Sequence, residues 1–162
     1  MRQVPRPPHG CHADANRLCM NLRKHLFWVV SRTGHFLYSH FPLFGPLKAA
    51  IGVIEKDGTF LMIERNDGRG LSFPGGLSLP WEDAEQALVR EVLEETGLRV
   101  TNSVLRLRYY SSIDIPVNVT VFDVEVDGLM RGSWEGTPCW LRLPEVRRHV
   151  IAGQRPVVET LG

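Results

Sequence analysis

Two apolar runs rich in β-branched residues occupy positions 49–55 and 59–65 and are separated by a short polar segment. Such runs are typical of β-strands, and the Asp57-Gly58 pair between them is a strong hairpin signal. The same pattern predicts further strands, and the polar or glycine-rich stretches between them predict loops. The further strands are expected at 71–73, 100–111, 116–126 and 139–143, and the loops at 66–70 and 128–138.

Helices are predicted where apolar residues recur at three- and four-residue spacing. The segment 83–96 is the clearest: Asp83 can cap its start, Gln86 completes a capping-box pattern, and Gly97 supplies a left-handed stop. A second helix is predicted over 144–151, with a proline in its first turn. Strands and helices mix without regular β-α alternation. The sequence therefore favours an α+β fold, or α/β/α layering, rather than a doubly wound sheet.

The first 46 residues differ from the rest of the chain. Residues 1–16 are rich in proline and poor in apolar side chains, and are expected to be disordered or an upstream extension. Residues 17–46 combine an amphipathic helical pattern with an aromatic segment broken by prolines. We expect this N-terminal helical and irregular extension to pack onto the domain or to form a homodimer contact, and the domain itself to span 47–162.

Composition narrows the class of protein. The 162 residues are 43% hydrophobic and 23% charged, which suits one domain with a real core. A net charge of +1 gives no reason to expect a nucleic-acid partner. Three cysteines without a C-x-x-C motif argue against a disulfide framework and favour a reducing cytoplasm. No apolar run reaches the roughly 18–20 residues that a transmembrane segment requires.

Three glutamates share one side of the predicted helix at 83–96. Each helical residue advances by about 100°, so Glu91, Glu94 and Glu95 fall within an arc of about 100°. A separate arc carries the apolar residues Leu88, Val89, Val92 and Leu93. The helix can therefore dock by one face while it presents three carboxylates together. In a cleft these like charges would need a cation, and hard oxygen ligands suit Mg²⁺ or Mn²⁺.

The segment that precedes this helix adds to the metal-site hypothesis. Pro74, Gly75 and Gly76 are predicted to form a loop in which the backbone approaches closely and offers carbonyl groups to a metal. Arg90 can orient one of the neighbouring carboxylates, and Glu82 is its expected partner. A charge-assisted pair between them would hold the loop against the helix.

Residues 76–98 follow the pattern G-x5-E-x7-R-E-U-x-E-E-x-G-U, in which U is an aliphatic residue. This is the signature of the Nudix hydrolases, and the chain resembles that family from about residue 47 to 151. The match holds at every fixed position, which are Gly76, Glu82, Arg90, Glu91, Val92, Glu94, Glu95, Gly97 and Leu98.

The resemblance implies a Nudix-type α/β/α sandwich with a mixed sheet. It also implies Mg²⁺-dependent hydrolysis of a nucleoside diphosphate linked to another group. By position, Glu91, Glu94, Glu95 and the Gly76 carbonyl resemble metal ligands, and Glu82 with Arg90 resembles the structural pair. The attacking water would be activated by one of the glutamates, with Glu94 and Glu91 as candidates. Many members use an acidic residue in a late loop as base. Glu135 is the candidate here, and an ordinary loop charge is the alternative.

Three further residues are weaker candidates for contact with substrate. Arg65 and Arg69 precede the glycine segment and could meet phosphate, or could be surface charges at the end of a hairpin. Trp81 flanks the same segment and could stack on a base, whereas Phe73 is expected to pack in the core.

Two other functions are compatible with a Nudix-type fold. A non-catalytic module that senses a nucleotide would be marked by lost glutamates, and none is lost here. An isopentenyl diphosphate isomerase would need a cysteine in its pocket, and Cys139 lies in a predicted late strand without a supporting motif. The substrate of a hydrolase stays open, because residues outside the motif select it.

Overall fold

The structure is a computed structural model that describes residues 46–113 and 115–162. The predictions made for residues 1–16 lie outside the described residues. Those made for residues 17–46 also lie outside them, except at residue 46 itself. No helix in the described part of the chain is long and apolar enough to cross a membrane. The strands are β1 (Leu47–Val53), β2 (Glu55–Lys56), β3 (Thr59–Arg65), β4 (Leu71–Ser72), β5 (Gly75–Leu77), β6 (Arg99–Ser111), β7 (Val117–Asp127) and β8 (Gly136–Arg142). The helices are α1 (Ala84–Thr96), α2 (Leu143–His149) and α3 (Arg155–Glu159), with a 3₁₀-helix at Ala152–Gln154.

Two four-stranded sheets form the centre of the domain. The first has the order β5-β1-β7-β6, in which β1 and β7 are parallel and the other neighbours are antiparallel. In the second, β3 pairs with β8 along its whole length and with β2 and β4 at separate positions, always antiparallel. The domain therefore combines parallel and antiparallel pairing, as predicted for a mixed sheet.

The hairpin predicted between 49–55 and 59–65 is confirmed only at its tip. Asp57 and Gly58 have φ values of 51° and 71°, as a two-residue hairpin turn requires. Only the two residues of β2 pair with β3, because the chain changes sheets at Ile54. The preceding strand β1 instead pairs with β5 and β7 in the first sheet.

Helices cover both faces of the sheets, which confirms the α/β/α layering. Side chains alternate along β1 and at Ile54, which follows it: Ala50 and Ile54 pack with α1, whereas Ile51 and Val53 pack with the C-terminal helices. The α1 side of the core also contains Leu61, Ala87, Leu88, Val92, Leu98, Phe122 and Val124. The other side contains Phe60, Met62, Leu71, Phe73, Val119, Val121, Val146, Val150, Val157, Val158 and Leu161.

The boundaries of α1 agree with the sequence prediction. The Asp83 carboxylate accepts a hydrogen bond from the Gln86 backbone N–H at 2.8 Å, and the Gln86 side chain accepts one from the Asp83 N–H at 3.0 Å. Gly97 ends the helix with a φ of 72°. The capping box and the glycine stop are therefore both present, because their signals act within a few residues.

Two predicted loop segments contain strands instead. Residues 75–77 form β5 and pair with β1, so Gly75 and Gly76 are part of the sheet. β8 begins at Gly136, three residues before the predicted strand. Both corrections have the same cause: glycine is a poor strand former by itself, and pairing with a distant strand overrides that preference.

Gly136 pairs with Arg65 at the start of β8, and an added Cβ atom would be 2.6 Å from the Glu64 carbonyl oxygen. We therefore expect Gly136→Ala to lower the free energy of unfolding by about 1–3 kcal/mol, as overpacking against backbone does. Gly153→Ala is the control, because its Cβ would meet nothing closer than 3.8 Å. Urea denaturation measures both variants, and equal stability of the two would contradict the prediction.

Candidate active site

Helix α1 docks on the sheet by a narrower apolar face than the helical projection indicates. Leu88 and Val92 are fully buried, but Val89 and Leu93 are each 42% exposed and flank that face. Glu95 is only 5% exposed. The helix is therefore rotated so that one of the three glutamates points into the protein rather than into solvent.

Glu95 is held at the start of β5. Its Oε2 accepts a hydrogen bond from the Gly75 backbone N–H at 2.9 Å. Burial raises the pKa of the Glu95 carboxyl to about 8, against the effect of that hydrogen bond. The charges of Glu91 and Glu135 raise this pKa further, and Arg65 lowers it. A buried carboxyl group surrounded by other carboxylates is thus the centre of the cluster.

Glu91 lies against the backbone of β5. An added Cβ atom on Gly76 would be 2.5 Å from Glu91 Oε1, so a side chain at this position would displace the carboxylate. Burial raises the pKa of Glu91, Arg90 opposes the rise, and the charges of Glu135 and Glu94 add to it. The glycine pair therefore places two glutamates of α1 beside the β5 backbone.

Arg90 links the loop before α1 to the helix. Its Nε and Nη2 donate to the two carboxylate oxygens of Glu82 at 2.8 and 2.9 Å, and Nη2 also donates to the Leu77 carbonyl at 3.0 Å. The Arg90 hydrogen bond lowers the pKa of Glu82. Nη1 donates to Glu91 at 2.8 Å and to Glu94 at 3.2 Å. The structure thus places Glu82 and Arg90 in contact, as the sequence predicts, and the contact is bidentate. Arg90 also orients two of the glutamates.

Glu135 reaches the cluster from the loop before β8. Its carbonyl accepts a hydrogen bond from the Asn66 N–H at 2.9 Å, and the Asn66 side chain donates to the Trp134 carbonyl at 2.9 Å. Burial raises the pKa of Glu135, Arg65 lowers it, and Glu94 raises it. Hydrogen bonds therefore join two loops that are distant in sequence, and this contact brings Glu135 close to the α1 glutamates.

The three weaker candidates separate in the structure. Arg65 lies beside the cluster, where its guanidinium donates to Asp67 and its charge acts on the pKa values of Glu95 and Glu135. The Arg69 side chain is more than half exposed, and its Nε lies 3.8 Å from Asp67 Oδ2. Trp81 is 78% exposed, and its indole makes no hydrogen bond to the described residues.

Asp67 and Asn66 are site residues that sequence reasoning missed. An acidic residue between Arg65 and Arg69 was a signal for the first of them. Nothing local marked Asn66, because both of its loop contacts are made with residues about seventy positions away.

The donor set fits a divalent metal in its chemistry. Glu91, Glu94 and Glu95 offer hard oxygen ligands on one helix, and Gly76 leaves room beside Glu91. Within residues 46–113 and 115–162, however, no three His, Cys, Asp or Glu side chains already converge as a metal cage. Arg90 holds two of the carboxylates, which would have to turn from it to surround an ion.

The fold and the site together define a class of protein: a mixed-sheet α/β/α domain with carboxylates gathered at one helix and a glycine strand. A family model described as the NUDIX domain matches residues 46–161. A solved NUDIX hydrolase from Nitrosomonas europaea is 30% identical, with a TM-score of 0.58, and the match covers 70% of this chain and 84% of that one. The chain belongs to the Nudix family.

Two curated relatives match shorter segments. A Bacillus subtilis (strain 168) protein, YtkD, named as a candidate 8-oxo-dGTP diphosphatase, is 56% identical over 43 residues, or 26% of this chain and 27% of that protein. The ADP-ribose pyrophosphatase of Methanocaldococcus jannaschii is 45% identical over 65 residues, or 38% of this chain and 36% of that protein. Each match thus spans well under half the length of the relative.

Proposed function

We propose that this domain hydrolyses a diphosphate linkage, in a nucleoside diphosphate linked to another group or in a nucleoside triphosphate. The observation that carries the proposal is the group of partly or fully buried carboxylates at β5, formed by Glu91, Glu95 and Glu135. Burial raises the pKa of each of them, and neighbouring carboxylates raise it further. Such repulsion is costly in a folded protein unless a cation offsets it. Hydrolysis of a diphosphate linkage needs a divalent cation beside the phosphate groups, and these carboxylates would favour one.

Each glutamate has a distinct part in the proposal. Glu91, Glu94, Glu95 and the Gly76 carbonyl would hold Mg²⁺, with Mn²⁺ as an alternative. The metal, when bound, supplies positive charge for the diphosphate oxygens and lowers the pKa of a water molecule. Glu135 would accept a proton, and its raised pKa supports this role as base. Glu94 and Glu91 are the alternative bases.

The remaining candidates differ in how well their positions suit contact with substrate. Arg65 interacts electrostatically with Glu95 and Glu135, and its guanidinium would bind a phosphate oxygen there. Arg69 and Trp81 are more exposed and would contact only the outer part of a substrate. Glu82 and Arg90 would hold the loop before α1 against the helix.

Two observations weigh against the rival functions. All four glutamates of the motif are present, and three of them, Glu91, Glu94 and Glu95, are held by Arg90 or by the Gly75 N–H. A nucleotide-sensing module has no need of them. Cys139 packs against the core on the side of the C-terminal helices, away from α1, and so does not suit an isomerase pocket. The cytoplasm as location and a homodimer as assembly both stay predictions from the sequence.

A nucleotide panel tests the proposal. The chain is incubated with Mg²⁺ and, separately, 8-oxo-dGTP, ADP-ribose, a nucleotide sugar and a dinucleoside polyphosphate. The two relatives' names suggest the first two compounds. We expect metal-dependent release of a nucleoside monophosphate from at least one of them, measured by chromatography and abolished by EDTA. Tight binding of one nucleotide without turnover would instead support the sensing module.

A further inference from the structure

An ion pair between Arg65 and Asp67 joins the end of β3 to the loop that leads to β4. It involves no residue of α1 or β5. Arg65 Nε donates to both carboxylate oxygens of Asp67 at 3.1 Å, and Arg65 Nη2 donates to Oδ2 at 2.6 Å. The Arg69 backbone N–H donates to Asp67 Oδ1 at 3.1 Å. The Asp67 side chain is only 9% exposed. Its carboxylate is therefore held by the loop backbone on one side and by Arg65 on the other.

Arg65 is bound through one edge of its guanidinium. Nε and Nη2 face Asp67, whereas Nη1 makes no hydrogen bond to the residues that the structure describes. A guanidinium is planar and carries its donors in a rigid fork. Fixing one edge therefore also fixes the direction of the Nη1 donors, which stay available to a ligand.

The charges around Arg65 would draw it elsewhere if Asp67 were absent. Glu95 and Glu135 both act on Arg65 as neighbouring anions. These are the carboxylates to which the proposed function assigns metal binding and proton transfer. An Arg65 side chain released from Asp67 would pair with one of them. Its donors would then no longer be available to the substrate, and the paired carboxylate would no longer offer its full negative charge to the site.

We propose that Asp67 is a positioning residue that holds Arg65 by one guanidinium edge, so that its Nη1 donors meet a phosphate oxygen of the substrate instead of Glu95 or Glu135. This inference rests on the proposed function. Asp67 itself touches no substrate and acts only through Arg65. Its effect on catalysis must therefore vanish when the Arg65 guanidinium is absent.

A double-mutant cycle tests this dependence on the nucleotide that the wild-type protein hydrolyses fastest. Asp67→Asn still accepts the Arg69 N–H but loses the charge that holds Arg65. We expect it to lower kcat/KM about tenfold, mainly by raising KM, as loss of one charge-assisted contact does. In an Arg65→Ala background the same change should alter kcat/KM less than about twofold, because interacting sites are not additive.

A matched control separates positioning from general loss of an ion pair. Asp123 accepts a hydrogen bond from Arg106 Nε at 2.7 Å, in a partly buried pair on β6 and β7. Asp123→Asn should leave kcat/KM within about twofold of wild type. Thermal unfolding of every variant reports whether the fold is retained. Arg65→Lys replaces Arg65→Ala if the latter does not fold, since lysine cannot make the two-point contact.

Two results would overturn the inference. One is an equal loss of kcat/KM on Asp67→Asn with and without Arg65, which would make Asp67 a structural residue of the loop. The other is wild-type kinetics for Asp67→Asn. If the wild-type chain hydrolyses nothing, the proposed function itself fails. The cycle is then measured on the affinity for inorganic pyrophosphate with Mg²⁺, where the same non-additivity is required.

Discussion

Glu94→Gln and Glu95→Gln are each expected to lower Mg²⁺-dependent turnover by about two orders of magnitude or more, with the fold intact. Glutamine keeps the shape of the side chain and, at position 95, can still accept the Gly75 N–H. It loses the negative charge that a hard cation prefers in its ligands. The loss should therefore fall on metal-dependent chemistry rather than on folding.

A substitution on the same helix provides the control. Glu85 lies in the first turn of α1 and is bonded to Ser103, apart from the carboxylate cluster. Glu85→Gln should retain nearly full activity, and circular dichroism should be the same for all three variants. Titration with Mn²⁺, followed by electron paramagnetic resonance, should show weaker metal binding only for the changes at positions 94 and 95. Nearly full activity in both of those variants would exclude them as metal ligands.

The second large effect is on stability as a function of pH. Burial raises the pKa of Glu95 to about 8 in the folded protein, from its ordinary value of 4.5. The Glu95 carboxyl therefore binds a proton more tightly in the folded state than in the unfolded state. The stability that this protonation contributes is fully present below pH 4.5 and is lost as pH rises through about 8. Without metal, we expect the free energy of unfolding to fall by a few kcal/mol over that window. Glu91 and Glu135 are shifted in the same direction and add to the fall.

Glu95→Gln removes one of these titrating groups. In EDTA the variant should lose less stability between pH 5 and 8 than the wild type, and should exceed it at pH 8. Mg²⁺ should restore stability to the wild type at pH 8 far more than to the variant, because a ligand stabilises the state that binds it. Urea denaturation at several pH values, with EDTA and with Mg²⁺, measures both effects. A wild-type stability that does not change with pH in EDTA would contradict the burial of an ionisable Glu95.

Signals that act over a few residues predicted the structure well. The capping box of Asp83 and Gln86, the Gly97 stop and the Asp57-Gly58 turn all occur where the sequence places them. Each depends on hydrogen bonds or backbone angles within about one turn of chain, so no distant residue can change them.

Pairing between distant strands was not predictable in the same way. Apolar alternation identified β1 and β3 as strands but could not show that the chain changes sheets at Ile54. The strand character of Gly75 and Gly76 comes from β1, and that of Gly136 comes from β3. A periodic pattern indicates which side chains are buried, but it does not identify the strand that accepts the hydrogen bonds.

For the candidate site, the sequence by itself determined the donors on α1. Helical periodicity put Glu91, Glu94 and Glu95 on one side, and the motif related them to Gly76 and to the Glu82–Arg90 pair. That relation needed only local geometry and the spacing of residues 76–98.

The tertiary structure alone decided which of these charges is buried and what surrounds it. Glu95 points into the protein because α1 rotates to bury Leu88 and Val92, and Glu135 joins it because the chain returns through β8. The pKa of each carboxyl depends on burial and on charges close in space, and residues far apart in sequence supply both. Local spacing therefore identified the donors, whereas long-range packing created the electrostatic repulsion that makes them a candidate metal site.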